Sequence, residues 1–194
     1  MKFKMHSLEK RWVLYDVGNS AFTLMVSTII PIYFNFLAES AGISDVDYLA
    51  FWGYAASVST VLVALLGPVL GSVSDFRGRR KGVFLSVLLF GAAGCILLGF
   101  LTSWIWFLVL FVLTRTAYSL SLVLYDSMLP DVTTEERMDE LSARGYAWGY
   151  IGSCVPFVIC LLLVLFCDRL GLSMAAAMGI AFVVTAVWWL GMSL

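Results

Sequence analysis

Long apolar runs separated by short charged clusters dominate this chain. Uncharged stretches occupy 17–38, 48–74, 82–114, 145–167 and 170–194, and the third, interrupted only by Arg115, continues to Tyr125. A bilayer core about 30 Å thick takes about 20 helical residues per crossing, because each residue rises 1.5 Å and the helix must satisfy its own backbone. The third stretch is too long for one crossing, and Thr102-Ser103 divide it. The pattern therefore predicts six transmembrane helices near 12–37, 48–74, 83–102, 104–129, 143–167 and 173–194. The fold class is an all-α membrane protein, and 1–194 reads as a single six-helix transmembrane bundle. The one sizeable polar loop, 131–140, carries a capping-box spacing from Thr133 to Glu136, which predicts a short interfacial helix. Its five acids read as a solvated face.

Composition excludes a water-soluble globule. Of 194 residues 61% are hydrophobic and 13% charged, against roughly 45–50% and 25% in soluble domains. The surplus must face lipid, so the bilayer is the first partner. Twelve Lys plus Arg balance thirteen Asp plus Glu, which leaves no basic surface for nucleic acid. Cys95, Cys154, Cys160 and Cys167 lie within apolar stretches without metal-ligand spacing, and read as small buried or lipid-facing hydrophobes. His6 is the only histidine and lies outside every apolar run. No metal, cofactor or nucleophile–base pair is expected, and the chain does not read as an enzyme.

Charge also predicts orientation. Lys2, Lys4, Lys10, Arg11, Arg77, Arg79, Arg80, Lys81, Arg137 and Arg144 fall on one side of the six predicted spans, and only Arg169 on the other. By the positive-inside rule both termini are expected in the cytoplasm, for a multi-pass protein of a bacterial cytoplasmic membrane. The seven tryptophans fall near predicted span ends, as an interfacial belt would.

Ionisable side chains at membrane depth are costly and usually line a protein interior or a water-filled path. On the first span Asp16, Asn19, Ser20, Thr23 and Ser27 lie within roughly 60° of one line at 100° per residue. The stripe reads as the wall of a substrate or proton pathway, or as small polar residues bonding neighbouring helices. On the fourth span Arg115, Tyr118, Ser119 and Asp126 share a face. Asp126 is about 16 Å along the axis from Arg115, beyond direct pairing. A partner for Arg115 must come from Asp16, from a solute carboxylate, from protein outside this chain or from backbone carbonyls. Gly53, Ser57, Thr60, Gly67 and Gly71 line one face of the second span, and Gly145, Gly149 and Gly152 one face of the fifth, spacings that allow close helix packing. Pro31, Pro68 and Pro156 lie inside spans, where a missing donor permits a kink.

Between the second and third spans the chain reads Gly71-Ser-Val-Ser-Asp75-Phe76-Arg77-Gly78-Arg79-Arg80-Lys81. This resembles the major facilitator superfamily signature G-x-x-x-D-[R/K]-x-G-[R/K]-[R/K], with Phe76 at one basic position and Arg77 beside it as a substitute. Trp12-Val-Leu-Tyr15-Asp16-Val-Gly-Asn19-Ser20-Ala-Phe22, Leu124-Tyr125-Asp126-Ser-Met-Leu129-Pro130 and Gly145-Tyr146-Ala147-Trp148-Gly149-Tyr150-Ile-Gly152 resemble the autophagy-related, vacuolar-effluxer-like branch of that superfamily. Asp126 stands where that branch is expected to carry asparagine.

The resemblance implies one half of a major facilitator fold, the N-terminal six helices of a carrier. The expected partner is a missing C-terminal six-helix half, or a second copy of the chain. It further implies secondary active transport of a small solute by alternating access, with amino-acid efflux the expected activity and Asp16 the expected site of proton coupling. Asp16, Asn19, Thr23, Ser27, Arg115, Tyr118 and Ser119 would line the path. Gly71, Asp75, Gly78, Arg79, Arg80 and Asp126 would form a cytoplasmic gate, with Arg79 pairing an acid such as Asp126. The alternative is a non-transporting six-helix scaffold or assembly subunit, in which the polar stripe only joins helices.

Overall fold

In lipid an apolar run must close its backbone hydrogen bonds within itself, and every run identified above is helical. The structure, a computed structural model, describes residues 5–76 and 78–194. The first span combines α1 (Ser7–Leu24), a π-turn (Met25–Ile29) and α2 (Ile30–Ser40). There follow α3 (Asp45–Ser74), α4 (Arg80–Leu98), α5 (Trp104–Ser127), the single turn α6 (Leu129–Val132) and α7 (Glu135–Leu165). A 3₁₀ turn (Asp168–Leu170) then leads into α8 (Met174–Ser193). Six helices, the first running unbroken over Ser7–Ser40, are long and apolar enough to cross a membrane, and no strand occurs among the described residues.

Several boundaries differ from those expected, each for a local reason. The first helix begins at Ser7 rather than near residue 12, because Glu9 accepts the His6 backbone N–H at 2.8 Å and holds the first turn. The third span ends at Leu98 rather than 102, where the N–H groups of Gly99 and Phe100 turn back to the carbonyls of Ile96 and Leu97. The acidic segment forms no separate interfacial helix. Thr133 gives its hydroxyl to Glu9 at 2.7 Å, Thr134 becomes the extended N-cap, and α7 runs without a break from Glu135. Glu135 and Glu136 then lie at the positive end of its dipole.

Pro31 sits at the start of α2, immediately after the π-turn. Proline removes a donor from the ladder, and the wider i→i+5 turn accommodates the lost bond without ending the span. The turn also shifts the helical phase, so residues beyond Leu24 leave the face that a uniform 100° step gives them.

The first span lies at the centre of the bundle, packed on α7 and α8, while α5 lies between α3 and α4. The core is strongly aromatic. Phe22, Tyr33, Phe34, Phe107, Phe182 and Trp189 are fully buried, and Trp52 stacks on Phe111 with ring centres 4.5 Å apart. Trp12 and Trp189 are therefore core residues rather than members of an interfacial belt. Cys95, Cys160 and Cys167 are buried, Cys154 is exposed, and none is bridged.

The two small-residue stripes behave differently. Those of α7 meet α1 closely: a Cβ added to Gly149 would lie 2.9 Å from Ser20 Oγ, and one added to Gly145 would lie 2.8 Å from Trp12 Cζ3. On α3 nothing stands within 4 Å of a Cβ added to Gly53, Gly67 or Gly71. Among the described residues nothing packs on those glycines, because α3 lies at the rim and buries only Ala55, Ser59 and Ser74.

Candidate functional site

Three helices enclose a cavity of about 230 Å³. From α1 come Trp12, Asp16, Asn19, Ser20, Thr23 and Leu24; from α5 Tyr118, Leu122, Tyr125 and Asp126; Ser142, Tyr146 and Tyr150 come from α7. The glycine stripe of α7 sets its width. With no side chain at Gly145 or Gly149, the α7 backbone lies directly on Asp16 and Ser20, and Tyr146 and Tyr150 project beside that contact into the cavity wall.

A chain of polar contacts crosses the cavity from α1 to α5. Asn19, itself buried, donates from Nδ2 to Asp16 Oδ1 at 3.3 Å. The Tyr118 hydroxyl reaches Asn19 Oδ1 at 3.4 Å and shares a short hydrogen bond with the Thr23 hydroxyl. Below it Tyr15 and Ser121 exchange a hydrogen bond of 2.7 Å, and Tyr125 donates to the Trp12 carbonyl at 3.1 Å. The Tyr125 ring stacks on the Trp12 indole at 4.3 Å, which fixes one aromatic wall.

Asp16, Asn19, Thr23 and Tyr118 are thus brought together, and Ser27, Arg115 and Ser119 are not. Ser27 falls in the π-turn and spends its hydroxyl on the Thr23 and Leu24 carbonyls, at 2.9 and 3.2 Å. Arg115 is half-buried on the face of α5 that carries Tyr118 and Asp126, and has no hydrogen-bond or ion-pair partner among the described residues. Asp16 is therefore not its partner here.

The gate residues divide in a way the sequence did not lead us to expect. Gly78 turns the chain between α3 and α4 with φ of +82°, a left-handed conformation that favours glycine. Arg80, not Arg79, makes the bridge: it pairs with Asp75 at 3.3 Å and with Asp131. Arg79 lies over the Phe76 ring at 5.7 Å. Asp126 takes no part in this bridge and lines the cavity with Asp16 instead. The chain passes Asp126 and turns through α6, so Asp131 is the acid that reaches Arg80. The substitution of Arg77 for a basic residue at Phe76 falls outside the described residues.

Trp12, Tyr125, Asp126, Tyr146 and Tyr150 are cavity residues that the stripe argument on α1 did not select. Their signal was present in the sequence: Tyr146 and Tyr150 stand four apart, one turn of helix, flanking glycines that must touch another helix.

A second polar centre lies at the start of α1. Glu9, 1% exposed, receives the Thr133 hydroxyl, the His6 N–H and both Nε and Nη2 of Arg137, at 3.0 and 2.9 Å. It ties the first helix to the α6–α7 junction.

Comparison with known proteins decides the family. The model described as vacuole effluxer Atg22 like matches residues 41–194. The chain belongs to this Atg22-like family, of the major facilitator type. The uncharacterized MFS-type transporter YxiO of Bacillus subtilis (strain 168) is 39% identical over 186 residues, covering 93% of this chain and 44% of that protein. The chain thus spans less than half the length of that relative. No solved structure matches. Family and helices together make this a multi-pass integral membrane protein.

Proposed function

We propose that this chain is the N-terminal six-helix half of a secondary transporter that moves a small solute by alternating access, with both termini in the cytoplasm. The observation that carries the reading is the cavity itself: the polar stripe on the central helix, joined to α5 through Tyr118, borders a space walled by α5 and α7. Asp16, Asn19, Thr23 and Tyr118 form the path, and the Arg80–Asp75–Asp131 bridge serves as the gate at the cytoplasmic end. The open stripe of α3 supports a partner helix bundle, since small residues with no neighbour among the described residues allow close approach by another helix. The half buried against it is the C-terminal half or a second copy.

The solute class that the family resemblance favours is amino acids, exported in exchange for protons carried by Asp16. The intact protein in liposomes, given an imposed pH gradient and radiolabelled amino acids, tests this. Flux that responds to the gradient and loses that response in Asp16→Asn supports the reading. Flux that keeps its gradient response in Asp16→Asn removes Asp16 from coupling, and no flux with any amino acid removes that solute class.

A further inference from the structure

The cavity holds two carboxylates, five aromatic rings and no cation. Asp16 and Asp126 both line it, and no Lys, Arg or His does among the described residues. Among the described residues the one side-chain hydrogen bond to Asp16 comes from the neutral amide of Asn19, and none donates to the Asp126 carboxylate. Charged side chains in a membrane-spanning bundle are normally paired, and among the described residues these two acids have no cationic partner. Within low-dielectric walls two acids focus a negative potential on the space between them.

The rings fit the same sign of charge. Trp12, Tyr118, Tyr125, Tyr146 and Tyr150 line the same cavity as the acids, and aromatic faces attract a cation within about 6 Å of their centres. A third observation concerns Trp12. It is 7% exposed, forms part of the cavity wall, and its indole Nε1–H has no acceptor among the described residues. A buried donor without a partner costs free energy unless a ligand supplies the acceptor.

We propose that this cavity binds a solute carrying a protonated amine, held between Asp16 and Asp126 and enclosed by the tyrosine and tryptophan rings, with an acceptor oxygen of the same solute available to the Trp12 indole. An organic ammonium supplies the counter-charge to the two acids, and an oxygen on the same solute supplies the acceptor for the Trp12 indole N–H. A carboxylate without an amine would bring a third negative charge to the two acids. The inference rests on the transport reading only in taking this cavity as the solute's place, and it specifies the solute's chemistry.

Three compounds sharing one phenol body test it: tyramine, tyrosine and 3-(4-hydroxyphenyl)propanoate, titrated calorimetrically into the intact protein in detergent, with sodium chloride titrated alone as a fourth arm. The expected result is that tyramine and tyrosine bind at least about tenfold more tightly than the propanoate, as unpaired acids discriminate ligand charge. Asp126→Asn, at an exposed position whose carboxylate accepts from no described residue, should weaken tyramine about tenfold, and Tyr150→Leu should weaken it several-fold by removing one ring. Asp139→Asn, an acid outside the cavity, should leave binding unchanged. Equal binding of amine and propanoate, or tyramine binding indifferent to Asp126→Asn, overturns the proposal. So does a response to sodium alone with none to tyramine. Amine binding without transport would leave this inference standing and remove the carrier reading; transport of solutes without an amine would do the reverse.

Discussion

Arg137 closes on Glu9 across 128 positions of sequence, with its Nη2 2.9 Å from Oε2 and its Nε 3.0 Å from Oε1. The pair is asymmetric: Glu9 is almost completely buried, whereas the Arg137 side chain keeps 30% of its surface. Removing the arginine leaves a buried carboxylate with only the neutral His6 N–H and Thr133 hydroxyl; removing the acid leaves a cation within reach of solvent. Arg137→Ala should therefore cost about 3 kcal/mol, the low end for a buried charge that loses its partner, and Glu9→Ala clearly less. Thermal unfolding in detergent reads the difference, and equal losses would contradict the asymmetry.

The α1–α7 seam depends on the absence of side chains. Gly149→Ala should destabilise by about 1–3 kcal/mol, as overpacking does, since the new methyl meets Ser20 Oγ and the Asp16 backbone carbonyl. Gly67→Ala on α3 meets open space within this chain and, in the isolated six-helix chain, should be neutral or slightly stabilising through better helix propensity. Paired melting curves of the two variants in the isolated chain check this contrast; matched losses at both positions would contradict it.

The Arg80 bridge is largely exposed on its acid side, with Asp75 and Asp131 at 73% and 64%. Exposed ion pairs contribute about 0–1 kcal/mol, so Arg80→Ala should barely change the melting temperature. As a gate it should instead change which side of the membrane the cavity faces, seen as altered labelling of a single cysteine at Ser20 in a background lacking the native cysteines. Asp126→Asn should leave that labelling bias in place, because Asp126 is not in the bridge.

Much of the architecture was legible because lipid imposes a simple rule on sequence. Six runs of the right length became six helices, and the break near Thr102-Ser103 fell at a real turn. What escaped was phase and depth. A uniform 100° step placed Ser27 with Asp16, and the π-turn before Pro31 moved it away. Span length alone could not tell that α6 would intervene, so Asp126 was expected to pair with Arg79, whereas Asp131 is the acid that pairs with Arg80. The small-residue spacing read the same on α3 and α7, yet only α7 found a neighbour, because spacing marks a face able to pack without saying what packs there.

The central claim is that Asp16, Asn19, Thr23 and Tyr118 line a path that opens alternately to the two sides of the membrane. Its most direct measurement is a single cysteine at Thr23 in the intact protein, in a background lacking the native cysteines, reacted with a membrane-impermeant thiol reagent applied to each side in turn, with and without bound solute. The account predicts reaction from both sides, with solute shifting the ratio between them. Protection from both sides, or access from one side that solute never changes, would contradict it and favour a polar seam that only holds helices together.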